Sequence, residues 1–255
     1  MTRERWLRAA PWLFTLGFLI LWEAAVRVSG VAVYLVPGPL AVLDAFLAAP
    51  GLLLGSLLST LAVTGVALAV SAVLGAALAM AASASPWARA AIQPWAVVLQ
   101  VTPVVAIAPL IIVWVGDPFA SLVVCATVVA FFPVFSNTAI GLSAAPRELL
   151  DLFRLNGAGR WDTLRLLRLP AALPYFLAGL RISGGLALVG AVVAEFVAGS
   201  GGFASGLAYR ILESGYRLQV ARMFAALVLL SAAGIAINAM LGAVARLLLR
   251  RHGAS

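Results

Sequence analysis

Long apolar runs separated by short polar breaks fill the chain. They lie at roughly 9–29, 53–83, 92–115, 120–142, 174–197 and 222–247, and each matches the ~20 residues a helix needs to cross a bilayer. Short segments of alternating polarity, the mark of a membrane β-barrel, are missing. The pattern predicts an all-α, polytopic membrane protein of about six transmembrane helices, one transmembrane domain over 1–255 with no room for a separate soluble domain. The core lies at about 53–250, with an N-terminal span ahead of it and a polar loop at about 143–173.

The breaks have their own signatures. "MTRERWLR" starts like a signal peptide, but the apolar run passes through Glu23 and Arg27 without a small-residue cleavage site, which favours an uncleaved first span. "YLVPGPLAVLDAFLAAPG" reads as an external loop with a short surface helix. Gly75, Ala79 and Ser83 recur every four residues in the second span and give it a small face for close helix contact. The third span carries Pro94, Pro103 and Pro109. Such breaks survive in lipid only where protein or a wet cavity satisfies the freed carbonyls. "GDPF" is a tight turn, and the fourth span contains "FFPVFSN". A Gly/Ser-rich loop with a short amphipathic piece, "AGSGGFASGLAYRILESGYRLQ", joins the last two spans. No internal repeat is evident.

Charge narrows the function. Only 10% of residues are charged, against about 25% in soluble domains. All seventeen basic residues are arginine. Without lysine the chain has no P-loop for ATP and no Schiff-base chemistry. The one histidine, His252, lies in the C-terminal tail, which removes a Ser-His pair or a His-ligated metal from the spans. Cys125 is alone in an apolar run, a small core hydrophobe. The arginines cluster at span ends rather than in a nucleic-acid-binding patch. With the N-terminus inside, Arg3, Arg5, Arg8, Arg89, Arg147, Arg154, Arg160, Arg165, Arg168, Arg246, Arg250 and Arg251 fall on one side. Arg27, Arg210, Arg217 and Arg222 fall on the other. Positive-inside bias then expects both termini and the 143–173 loop to be cytosolic.

That loop breaks the apolar pattern most sharply. Ser143 can cap a first short helix, Pro146 suits its opening turn and Glu148 suits that end of the dipole. Asp151, Leu152, Phe153 and Asn156 follow, and Gly157 can take positive φ just past the helix end. A second helix is expected over about 160–168, with Trp161, Leu164 and Leu167 on one face and Pro170 as its stop. One reading is an interfacial helix that anchors the loop to headgroups. The other is a Gly-centred bend shaped to fit a partner.

The loop resembles the cytosolic motif of bacterial ABC importer permeases: Glu-Ala-Ala, three residues, Gly, nine residues, Ile, one residue, Leu-Pro. Asp151-Leu152-Phe153 stands at the Glu-Ala-Ala place, Gly157 at the glycine, Leu167 at the isoleucine and Leu169-Pro170 at the Leu-Pro, with the spacing kept throughout. "VPGPLAVLDAF", "TPVVAIAPLIIVWVG", "FFPVFSNTAIGL", "LPAALPYFLAGLRIS" and "AEFVAGSGG" are similar to the nitrate/sulfonate/taurine branch. The resemblance implies a permease subunit in a bacterial inner membrane, paired with a second copy. Two ATPase subunits holding ATP and Mg would dock on the loop, and a binding protein would deliver a small anion or, alternatively, a thiamine-precursor pyrimidine or other small nutrient. This chain itself would bind no cofactor and hydrolyse nothing.

Within the spans, Gln100, Thr102 and Asn137 are polar beside proline breaks and are candidates for the translocation path. Gly179, Ser183, Ala187, Ala191 and Glu195 are each four apart. This stripe reads as a dimer interface or path wall, or else as packing between spans of one subunit. Glu195 is an intramembrane carboxylate, functional by default, or else a cap on the loop amides at 199–202. Arg181 is expected to reach the headgroups, and Trp22, Trp87, Trp95, Trp114 and Tyr209 to anchor at the interfaces. A secondary transporter would need coupling-ion acids at mid-membrane, and only Glu23 and Glu195 lie in spans.

Overall fold

The computed structural model describes residues 2–199 and 205–251, with side chains over 10–199 and 205–250. Eleven α-helices are found among them: α1 (Thr2–Ser29), α2 (Pro39–Ala48), α3 (Pro50–Ala84), α4 (Pro86–Val101), α5 (Val104–Val115), α6 (Pro118–Ser143), α7 (Arg147–Leu155), α8 (Arg160–Thr163), α9 (Leu169–Ala198), α10 (Leu207–Tyr216) and α11 (Val220–Arg251). A five-residue π segment, Leu164–Arg168, joins α8 to α9. His252 and the loop amides at 200–202 lie outside the described residues.

Five of these stretches are long and apolar enough to span a bilayer alone. The third expected span is not one straight helix. α4 and α5 meet at Thr102–Pro103 with a 104° bend, and at 16 and 12 residues each falls short of the ~30 Å hydrocarbon core at 1.5 Å per residue. Pro103 forces the break, because it has no N–H to donate and disfavours helical ψ at Thr102. Pro94 and Pro109 stay inside helices. The pair still runs from one end of the bundle to the other. Ala96 of α4 packs with Ala79, Ala82, Leu142 and Ala172, next to the α7–α8 loop. Val104 and Ala108 of α5 pack with Val63, Leu122, Ala191 and Ala194, at the opposite end. Counted as one broken crossing, it makes six.

The core is α6 sandwiched between α3 and α9. Small residues allow the close approach: a Cβ at Gly179 would lie 2.6 Å from the Pro133 carbonyl oxygen, and one at Gly190 would lie 2.9 Å from Ala126 Cα. Away from the loop, α2 and α10 lie across the ends of α3 and α11, where Val42, Leu53, Leu207, Ile211, Ala225 and Ala226 form a second core. α1 stands to one side. Its apolar faces are exposed, and Trp22 meets Phe224 of α11 at a ring separation of 6.0 Å.

Two local expectations change at the loop. Ser143 belongs to the last turn of α6, where its hydroxyl donates back to the Ala139 carbonyl (3.1 Å), and Pro146 takes the N-cap of α7. Pro170 does not stop the second helix. The Leu169 N–H bonds to the Leu164 carbonyl, five residues back. The wider π turn accommodates Pro170 in the opening turn of α9, so helix continues from Arg160 to Ala198.

Candidate functional site

The α7–α8 knuckle is held by backbone geometry. α7 closes in a Schellman motif: the Ala158 N–H bonds to the Phe153 carbonyl (2.9 Å) and the Gly157 N–H to the Arg154 carbonyl (3.0 Å). Gly157 takes φ +70°, where a side chain is strained. Asn156 Nδ2 donates to the Leu152 carbonyl (2.8 Å), and Asp151 pairs with Arg154 (2.9 Å). Leu167 is buried and Leu164 packs beneath it against the α3–α6 core. Trp161, expected on the same face, is instead 69% exposed. Leu152 (51%) and Leu155 (87%) are exposed too, while Phe153 is half-buried and Leu169 and Pro170 lie at the surface. The knuckle presents apolar side chains outward on a frame that is rigid on its α9 side.

The expected path residues separate. Gln100 is exposed and Thr102 half-buried at the α4–α5 bend, where Thr102 Oγ1 donates to the Val98 carbonyl (2.6 Å). Asn137 instead donates to the Pro133 carbonyl (2.9 Å) and abuts Gly179, within the α6–α9 contact. An open cleft of about 510 Å³ lies between α4 and α6 at the knuckle end. Arg89, Gln93, Ser83, Ser136 and Ser143 line it beside Phe132 and Phe135. Sequence reasoning missed Arg89 and Gln93 as a pair. Their signal was the i, i+4 spacing, which stacks them on one face of α4.

The α9 stripe faces α6 of the same chain. Ser183 donates to the Ala130 carbonyl (2.6 Å), Gly179 sits on Pro133, and Ala187 and Ala191 are fully buried. The stripe, expected as a dimer interface or path wall or else as packing between spans, is buried within this chain, as the packing reading describes. Glu195 is buried as well. Thr60 Oγ1 donates to Glu195 Oε1 (2.8 Å) and accepts the Leu207 N–H (2.9 Å), while Glu195 Oε2 accepts the Ala208 N–H (3.0 Å). Among the described residues the carboxylate therefore caps the N-terminus of α10. Gly206 is needed beside it, since a Cβ there would collide with the carboxylate. Glu23 plays the same part for α2, accepting the Leu40 N–H (3.2 Å) and the Arg27 guanidinium (2.6 Å). Arg181 donates to Asn238 Oδ1 on α11 (2.6 Å) instead of only reaching outward.

The family described as "Binding-protein-dependent transport system inner membrane component" matches residues 71–251, from mid-α3 through α11. The chain belongs to this family of ABC transporter permeases. This permease is 40% identical over 183 residues to the "Riboflavin transport system permease protein RibX" of Chloroflexus aurantiacus, covering 71% of this chain and 68% of that one. It is 32% identical over 226 residues to the "Formylaminopyrimidine transport permease protein ThiX" of Halalkalibacterium halodurans, with 88% of each covered. It is 28% identical over 234 residues to the "Putative aliphatic sulfonates transport permease protein SsuC" of Escherichia coli, with 91% and 88% covered. The permease fold also matches a solved structure, "Crystal structure of an amino acid ABC transporter with histidines", with a TM-score of 0.65 at 17% identity, over 81% of this chain and 96% of that one.

Proposed function

We propose that this permease is the membrane subunit of an ATP-driven importer, with the α7–α8 knuckle as the handle that a separate cytosolic ATPase grips. The observation that carries this reading is the exposed apolar surface formed by Leu152 and Leu155 of α7 and by Trp161, the last on a helix continuous with α9. A displacement of α8 is transmitted to a core-lining span without a hinge at Pro170. Two permeases pair, each with its ATPase bearing ATP and Mg, and a solute-binding protein supplies cargo from the other side.

The cargo reading shifts from a sulfonate-type anion towards a small heteroaromatic nutrient of the flavin or pyrimidine kind. The relative named for riboflavin has the higher identity (40%), and the one named for formylaminopyrimidine is 32% identical over 88% of this chain, whereas a sulfonate-named relative reaches 33% over only 53% of it and another 28% over 91%. The aliphatic sulfonate remains the second reading, carried by the two sulfonate-named relatives. Uptake of labelled riboflavin, formylaminopyrimidine and an alkanesulfonate, in cells expressing the permease with its ATPase and binding protein, separates them. Loss of uptake on removing the ATPase's P-loop lysine is expected; uptake that survives would make the chain a secondary transporter.

A further inference from the structure

A recess at the knuckle end, bordering the open cleft at Arg89 and the exposed knuckle surface at Trp161, carries a concentration of positive charge. Two adjoining cavities of about 500 and 610 Å³ lie between the α3–α4 turn and the knuckle. Arg168 lines both, with Arg89 in one and Arg154 and Arg160 in the other. Among the described residues, no acidic one lines either. Arg154 is neutralised by Asp151, but Arg89, Arg160 and Arg168 have no ion-pair partner among the described residues. Arg168 Nε is buried and makes no hydrogen bond. A buried guanidinium N–H without an acceptor costs more than an ordinary unmade hydrogen bond, so an acceptor from outside the chain would relieve it. Hydroxyls of Ser83, Ser85 and Ser143 border the same space.

The depth of the recess indicates where that acceptor comes from. It opens where α3 and α6 end and α4 begins, the level of the polar boundary of the spans. Exposed Trp87 and Trp161 flank it, and tryptophan is enriched at headgroup level. Basic pockets between transmembrane helices suit anionic headgroups, and arginine binds phosphate through its planar fork. We propose that Arg89 and Arg168, supported by Arg160, form a binding site for a phosphodiester anion, supplied by the headgroup of an anionic phospholipid. Because Arg168 ends the π segment, the bound phosphate ties the root of the handle to the α3–α4 turn.

The test is native mass spectrometry of the full-length permease in detergent with phosphatidylglycerol, phosphatidylcholine or inorganic phosphate. Phosphatidylglycerol adducts that R89Q/R168Q weakens about tenfold or more, that R89K/R168K weakens less because charge survives without the fork, and that the outlying R147Q leaves unchanged, are expected. Displacement of those adducts by millimolar inorganic phosphate would keep the anion site but assign it to free phosphate. Equal adducts with phosphatidylcholine, or adducts unchanged in R89Q/R168Q, overturn the proposal. So does R89Q/R168Q losing ATPase co-purification with lipid binding intact, which would give the arginines to a protein partner. Should the double variant fail to fold, photoactivatable phosphatidylglycerol on the wild-type protein decides. Labels within Ser83–Gln93 and Leu150–Arg168 support the site, and labels only elsewhere overturn it.

Discussion

Replacing Glu195 with alanine tests whether the buried carboxylate is a helix cap. The change removes the acceptor of the Ala208 N–H (3.0 Å) and of the Thr60 hydroxyl (2.8 Å). Thr60 has a fallback, since its hydroxyl lies 3.2 Å from the Ser56 carbonyl. The Ala208 N–H has none, and an orphaned buried donor costs about 1–3 kcal/mol. The space left by the side chain adds a cavity cost of about 1 kcal/mol or more, because Gly206 has no side chain to fill it. The sum is about 3 kcal/mol, or roughly 6–12 °C in Tm for a chain of this size. Glu195→Gln keeps the acceptor for Ala208 and can donate to Thr60 Oγ1, so a loss of under about 1.5 kcal/mol is expected. Scanning fluorimetry in detergent orders the variants as wild type, Gln, then Ala. Hydrogen exchange should show the Ala208 amide deprotected in the alanine variant alone. Glu195→Ala melting within about 2 °C of wild type would refute the cap, and so would Gln proving as harmful as Ala.

Other expectations follow from single contacts. Gly157→Ala adds a Cβ that meets nothing within 4 Å of its own chain, so only the φ +70° strain counts, about 1–2 kcal/mol confined to the knuckle. Membrane insertion should then survive in Gly157→Arg while uptake is lost, because the bulk obstructs the docked ATPase rather than this chain; paired expression and uptake assays check both. Gly179→Leu drives its side chain into the Pro133 carbonyl, parts α6 from α9 and should destabilise by about 2–3 kcal/mol or more in a thermal melt. Ser183→Ala removes the 2.6 Å bond to the Ala130 carbonyl and should cost about 1 kcal/mol in the same melt, with no separate effect on cargo selectivity.

The sequence revealed features fixed by local physics. Apolar length located α3, α6, α9 and α11, because a bilayer-spanning helix needs only a continuous run. Gly157 was legible as a C′ residue because few residues other than glycine tolerate its φ. Features that depend on distant partners were less accessible. Three prolines marked the third span as broken, but only packing shows that Pro103 makes the 104° bend while Pro94 and Pro109 stay helical. The stop read at Pro170 failed because a π turn can absorb a missing N–H, and no residue in 164–168 announces one. The α9 stripe was visible, but its partner was not, since small residues look the same whether they face α6 or a second subunit. Glu195 was read against nearby loop amides, whereas its acceptor role joins Thr60 and Ala208, 135 and 13 residues away.

The account turns on what touches the knuckle. Photo-crosslinking in intact cells from a reactive residue placed at Leu155 and at Trp161 measures that directly. The expected product is a covalent adduct between this permease and a cytosolic subunit carrying a nucleotide-binding P-loop, formed from both positions. Adducts only to lipid or to proteins of the opposite compartment would contradict the central claim.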